Sequence, residues 1–195
     1  MRMKPVLRIA ALALLSLVAA RPARASIVVA LDLETMVARA DHIAVVDVTA
    51  VSAAWDAKHE RILTTIDLTV VDAWKGPLTP AAHVKIVQPG GTVGDLQMRV
   101  DGMTRFTPGE RALVFLRGTP ASAAVVGMAQ GKRLLRHDTT TNRWLVHAPD
   151  RAGASFVRAG ATAPTTTPPV FDARVRALED VRTEVRGLVG KATSR

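Results

Sequence analysis

Between Arg61 and Trp74 the chain reads RILTTIDLTVVDAW, and its apolar residues recur at every second position. Ile62, Thr64, Ile66, Leu68 and Val70 share one face, and Thr65, Asp67 and Thr69 the other, which predicts a long half-buried antiparallel strand. The adjacent Val70 and Val71 shift the apolar phase and predict a bulge or bend. A chain without cysteine must draw its stability from such apolar faces, because no disulfide is available.

Other β-rich runs surround this one. His42–Val51 is rich in β-branched residues and predicts a strand, followed by a polar loop from Ser52 to Glu60 that contains Trp55. Lys75-Gly76-Pro77 signals a turn. His83–Gln88 predicts a third strand, ended by Pro89-Gly90-Gly91, and Gly94–Asp101 a fourth, with Leu96, Met98 and Val100 on one face. Arg111–Arg117 is almost continuously apolar, as expected of a central strand buried on both faces. Ala123–Met128 predicts a sixth, and Lys132–Arg136 with Arg143–His147 a final hairpin. Two amphipathic helices flank the strands. Leu33, Met36, Val37 and Ala40 fall on one side of a short helix that Asp32 caps. Val175, Leu178, Val181, Val185 and Leu188 form a stripe on a helix expected over Asp172–Val189; the stripe can dock on the strands or on a partner. The expected fold is all-β: a small antiparallel OB-like barrel or sandwich with a short N-terminal helix and a C-terminal amphipathic helix.

The first residues predict export. Arg2, Lys4 and Arg8 precede an apolar run from Ile9 to Ala20, which is too short to span a bilayer, and Ala23-Arg24-Ala25 suits signal-peptidase cleavage after Ala25. The expected organisation is a signal peptide over 1–25, a β-domain over 26–148, a Pro/Thr/Ala/Gly-rich linker or strap over 149–170 and a helix over 171–195. Cleavage would remove five basic residues and no acidic one, so the formal charge falls from +9 to +4. That balance, with no Lys/Arg cluster interleaved with aromatics, argues against nucleic acid as a partner. No further apolar run predicts a membrane span after cleavage. The expected location is the periplasm or the outside of the cell.

The chemistry-bearing residues are dispersed. His42, His59, His83, His137 and His147 form no metal-ligand spacing, although His137 and His147 could face each other across the last hairpin. Asp67 and Asp72 lie an odd number of residues apart, which puts them on opposite faces unless the bulge intervenes. No nucleophile elbow, P-loop or dinucleotide fingerprint is present, so the sequence implies no catalytic residue, cofactor or metal.

Two segments carry a resemblance: ADHIAVVDVTAV with TTIDLTVVDAWKG (within Ala40–Gly76), and FTPGERALVFL (Phe106–Leu116). They resemble the netrin-like, OB-type five-stranded barrel shared with tissue inhibitors of metalloproteinases. The chain also looks like bacterial exported proteins of unknown function that carry the stretch Gln88-Pro89-Gly90-Gly91. The resemblance covers roughly Ala40–Gly118 and implies a barrel that binds through one face and its loops, which singles out Trp55, Gln88, Gly90 and Gly91. The inhibitors chelate zinc through an N-terminal cysteine, where this chain would present Ser26-Ile27-Val28. The functional expectation is a non-catalytic exported domain that binds another exported protein. The alternatives are an exported hydrolase with a dispersed site, and a peptidase inhibitor or accessory protein.

Overall fold

A computed structural model describes residues 26–149, 154–157 and 174–193. The expected signal peptide and most of the expected strap lie outside the described residues. In chain order the elements are β1 (Ser26–Val29), α1 (Leu33–Arg39), β2 (His42–Trp55), β3 (Ile62–Lys75), β4 (His83–Pro89), β5 (Gly91–Val93) and β6 (Leu96–Met98). There follow β7 (Arg111–Thr119), β8 (Ser122–Val125), a 3-10 turn (Met128–Gly131), β9 (Lys132–Asp138), β10 (Arg143–Val146), β11 (Ala154–Val157), β12 (Arg176–Ala177) and α2 (Leu178–Thr193). Among the described residues the protein is mostly β, with one large mixed sheet and two α-helices.

That sheet has the order β12-β10-β9-β7-β2-β3-β4-β8, and β8 also pairs with β7. Following β7–β2–β3–β4–β8 therefore leads back to β7. Most pairings are antiparallel, as the alternation predicts. The expected all-antiparallel arrangement needs one correction within this sheet: β4 and β8 run parallel and meet at a single residue pair, Ile86 with Ala123. A separate two-stranded sheet is also parallel, joining Ser26–Val29 to Ala154–Val157. Four residues of the expected strap are thus a strand.

Two apolar clusters lie on opposite faces of the large sheet. Ile43, Val45, Leu113, Phe115, Leu135 and Val146 face the helices, where Met36 and Val37 of α1 and Val181 and Val185 of α2 cover them. Ala44, Val46, Val48, Ile66, Leu68, Val70, Val84, Ile86, Val114 and Leu116 face the other way, within the ring of paired strands. Strand β7 feeds both clusters from alternate residues, and Ala112–Leu116 are all fully buried. This is why its sequence is continuously apolar rather than alternating. Each of the larger side chains here, Val, Leu, Ile or Phe, contributes roughly 1.5–3 kcal/mol on burial.

The phase shift at Val70-Val71 is a bulge. Val45 pairs with Asp72 and Val46 with Val70, which leaves Val71 between them without a counterpart. As a result Asp67 and Asp72 share a face of β3, but they do not form a pair. Asp67 meets Lys85 at 3.8 Å, whereas Asp72 accepts from Trp74 Nε1 at 2.7 Å and pairs with Arg182 of α2 at 2.8 Å.

Junctions between elements are fixed by polar side chains. Asp32 Oδ1 accepts from the Thr35 amide at 2.7 Å and caps α1. At the other end of α1, Lys75 Nζ donates to Val37 O (2.8 Å) and Ala40 O (2.6 Å). A cation there meets the negative end of the helix. Gly76 follows at φ +86°, and a Cβ would lie 2.4 Å from His42 Nδ1 and 2.6 Å from Asp41 O. The Lys-Gly ending of β3 therefore has a packing function. Gln130, 5% exposed, accepts from Leu31 N (2.8 Å) and donates to Val29 O (3.0 Å), tying the first strand to the 3-10 turn.

Three sequence expectations are corrected. The strand expected over Gly94–Asp101 is instead half of a small hairpin, β5–β6, outside the large sheet, with Leu96 59% exposed. Gly94-Asp95 forms a two-residue turn, and glycine at its first position (φ +56°) suits such a hairpin. Trp55 does not sit in a polar loop, because β2 runs on to it and pairs it with Ile62. The helix begins at Leu178 rather than Asp172. Arg176 and Ala177 are drawn onto the free edge of β10 as β12, which leaves Val175 51% exposed and outside the helical stripe. Among the described residues no helix is long and apolar enough to cross a membrane.

Candidate functional site

A cleft of about 380 Å³ opens at one end of the ring of paired strands. Val51 of β2, Thr64 and Ile66 of β3, and Gln88 and Pro89 of β4 form its inner wall. Its outer wall is the segment from Gln97 to Thr107, excluding Asp101 and Gly102.

The inner wall is shaped by a change of direction at the end of β4. Gly90 (φ +107°) and Gly91 (φ +135°) turn the chain out of the sheet and into the β5–β6 hairpin. A Cβ on Gly91 would lie 2.6 Å from Thr64 Oγ1 and 2.8 Å from Ala53 Cβ, so only glycine allows this close crossing. Thr64 Oγ1 donates to Gly90 O at 2.6 Å and secures the turn.

The outer wall has little regular structure and is pinned by side chains. Gln88 Nε2 donates to Thr104 O at 2.7 Å across the cleft. Lys132 Nζ donates to Arg105 O and to Glu110 Oε1, and lies 4.6 Å from the centre of the Phe106 ring. Glu110 Oε1 also accepts from the Thr107 amide at 3.0 Å. Phe106, 8% exposed, plugs this end of the apolar cluster. Beyond Met98 the segment has no strand partners and is thereby held at four points.

Of the four residues singled out from sequence, Gln88, Gly90 and Gly91 all line the cleft, and Trp55 does not. Trp55 ends the β2–β3 hairpin, its ring 6.3 Å from that of His59. The glycines act through the path of the backbone and Gln88 through its tether to Thr104. Sequence reasoning missed Met98, Arg99, Met103, Arg105 and Phe106 as lining residues. The only local signal was the Thr107-Pro108-Gly109 turn, which marks where the segment ends and not what it faces.

Among the described residues, the lining holds no carboxylate, imidazole or thiol. Its polar groups are amides, hydroxyls, backbone groups and the guanidinium groups of Arg99 and Arg105. Such a set can bind and orient a ligand but supplies no general acid or base near neutral pH. No group of three or more His, Asp or Glu among the described residues could hold a metal ion. His137 is paired with Trp144 across the last hairpin, their rings 5.1 Å apart, and does not face His147, whose amide donates to Leu134 O.

Two other polar features lie elsewhere. Arg111 makes a two-pronged contact with Asp47 (2.6 and 2.8 Å) and lies 4.8 Å from the centre of the Trp144 ring. The hydrogen bond to Asp47 raises the guanidinium pKa further, against the opposing effect of burial. A smaller depression of about 110 Å³ is lined by Arg39, Arg117 and Ala124–Gly127.

The chain matches no protein family, no curated protein and no solved structure.

Proposed function

We propose that this protein is an exported, non-catalytic binding module built on an OB-type barrel, and that its cleft receives part of another exported protein. The observation that carries the binding reading is the composition of the cleft. An apolar floor, a few fixed polar groups and two cations surround a space within the roughly 300–1,000 Å³ range of ligand sites, with no acid–base pair beside it. The return of the pairings from β8 to β7 supports the barrel, because a small, partly open five-stranded barrel needs such a ring. The seam of this ring is the single β4–β8 residue pair. The cleft opens at one end of that ring, where loops of such barrels bind their ligands. The alternative of inhibition through an N-terminal chelating segment draws no support from Ser26–Val29, since that segment is a strand paired with Ala154–Val157.

The test compares the wild-type protein with Thr107→Trp, both expressed from the full chain and recovered from the exported fraction. Thr107 is exposed at the rim, so the larger side chain blocks the cleft at little cost to the core. Immobilised wild-type protein is expected to retain a defined exported partner that the variant does not, with identical circular dichroism. Equal retention by both would overturn the cleft as the binding site.

A further inference from the structure

The cleft is chemically two-sided. Its floor is apolar, with Ile66 fully buried and Phe106 nearly so, and Val51, Met98 and Met103, each half-buried, also line it. Its rim carries charge of one sign. Arg99 shares its charge with Asp101 at 3.5 Å. Lys132, behind Phe106, is neutralised by Glu110. Arg105 is exposed and lines the cleft, and among the described residues no carboxylate pairs with its guanidinium. The net charge offered to a ligand is therefore one positive fork at the rim of an apolar pocket.

We infer that the cleft binds a carboxylate carried on an apolar group, with the carboxylate on Arg105 and the apolar group on Val51, Phe106 and the two methionines. This rests on the reading of the cleft as a binding site. A planar guanidinium matches both oxygens of a carboxylate, and it does so better than an ammonium would. Unbranched thioethers adapt to different apolar shapes, so the pocket selects the charge more strictly than the hydrocarbon. Gln88 uses its amide nitrogen on Thr104 O and keeps its Oε1 for an incoming N–H. The C-terminus of a polypeptide with an apolar last residue supplies all three groups, and a free aliphatic acid supplies two of them.

The experiment is calorimetric titration of the full exported protein, with chemical-shift mapping, against five probes. They are decanoate, 1-decanol, decyltrimethylammonium, acetyl-Ala-Leu-Leu with a free carboxylate, and the same peptide as its C-terminal amide. At least one carboxylate is expected to bind at the cleft, about tenfold or more tightly than its uncharged counterpart, and the cationic probe is expected not to bind. Arg105→Gln should remove that preference, while Arg117→Gln, outside the cleft, should leave it intact. Binding of the peptide acid favours a polypeptide terminus, and binding of decanoate alone favours a free acid; both support the inference. Equal affinity for acid and uncharged counterpart, or an Arg105→Gln protein with unchanged preference, would overturn the carboxylate and leave the cleft a binding site. If no probe binds while Thr107→Trp still abolishes partner capture, the inference fails and the binding reading stands. If partner capture also ignores Thr107→Trp, both fail.

Discussion

Asp32 stands where the chain leaves β1 and enters α1, and its side chain accepts from Thr35 at the first turn. Hydrogen bonds from the Thr35 side chain, and next from its amide, hold the Asp32 carboxyl below its ordinary pKa. A carboxyl with a depressed folded-state pKa contributes stability above its unfolded value and loses it as pH falls through the folded one. Asp32→Ala is therefore expected to cost about 0.5–1 kcal/mol at pH 7, toward the lower end because the site is exposed. The difference from wild type should shrink as pH drops below about 4. Urea unfolding of both proteins at pH 7 and pH 3 checks this, and a cost that stays constant between the two would contradict the charged cap. At the other end of the helix, Lys75 meets the last carbonyls from a position 35 residues beyond Ala40 in the chain. Periodicity places Lys75 at the end of a strand, but its role at α1 depends on how that strand packs.

At the scale of the element, α2 separates what sequence makes plain from what it conceals. The stripe Val175, Leu178, Val181, Val185 and Leu188 has helical spacing throughout, yet Val175 belongs to an extended stretch. The spacing was satisfied on both sides of the boundary, and the free edge of β10 decided where the helix starts. Val185→Ala is expected to cost about 2 kcal/mol, because Val185 is fully buried against the sheet. Val175→Ala should change stability by less than about 0.5 kcal/mol. A chemical-denaturation series distinguishes them, and equal costs would return Val175 to the packed stripe. The strands β3 and β7 were legible because each carries a pattern that one environment imposes along its whole length, alternation in β3 and continuity in β7. The β5–β6 hairpin was not, since three-residue strands are too short to establish a period. The cleft was half legible. Gln88, Gly90 and Gly91 stand out because a turn needs special residues, whereas Met98, Met103 and Arg105 lie in a segment whose placement depends on Lys132, 27 residues beyond Arg105 in the chain.

At the scale of the molecule, the two apolar clusters are not independent. Strand β2 gives Ile43 and Val45 to one and Ala44, Val46 and Val48 to the other, and β7 divides Leu113 and Phe115 from Ala112, Val114 and Leu116 in the same way. Losing either face uncovers one side of strands that the other face also needs. The faces should therefore unfold together, in one cooperative transition. The three tryptophans make this measurable. Trp74 and Trp144 belong to the helix-covered side and Trp55 to the tip of the β2–β3 hairpin, so none reports from the cluster inside the ring. Far-UV circular dichroism reports the strands of both faces. In urea the two signals are expected to give the same midpoint and the same slope. If fluorescence changed at a lower concentration than circular dichroism, the helices and their cluster would be leaving an intact ring of strands. The shared strands β2 and β7 would then not couple the two faces. Coincidence would mean that the cleft, built at the end of that ring, is only as stable as the helix-covered face on the far side of the sheet.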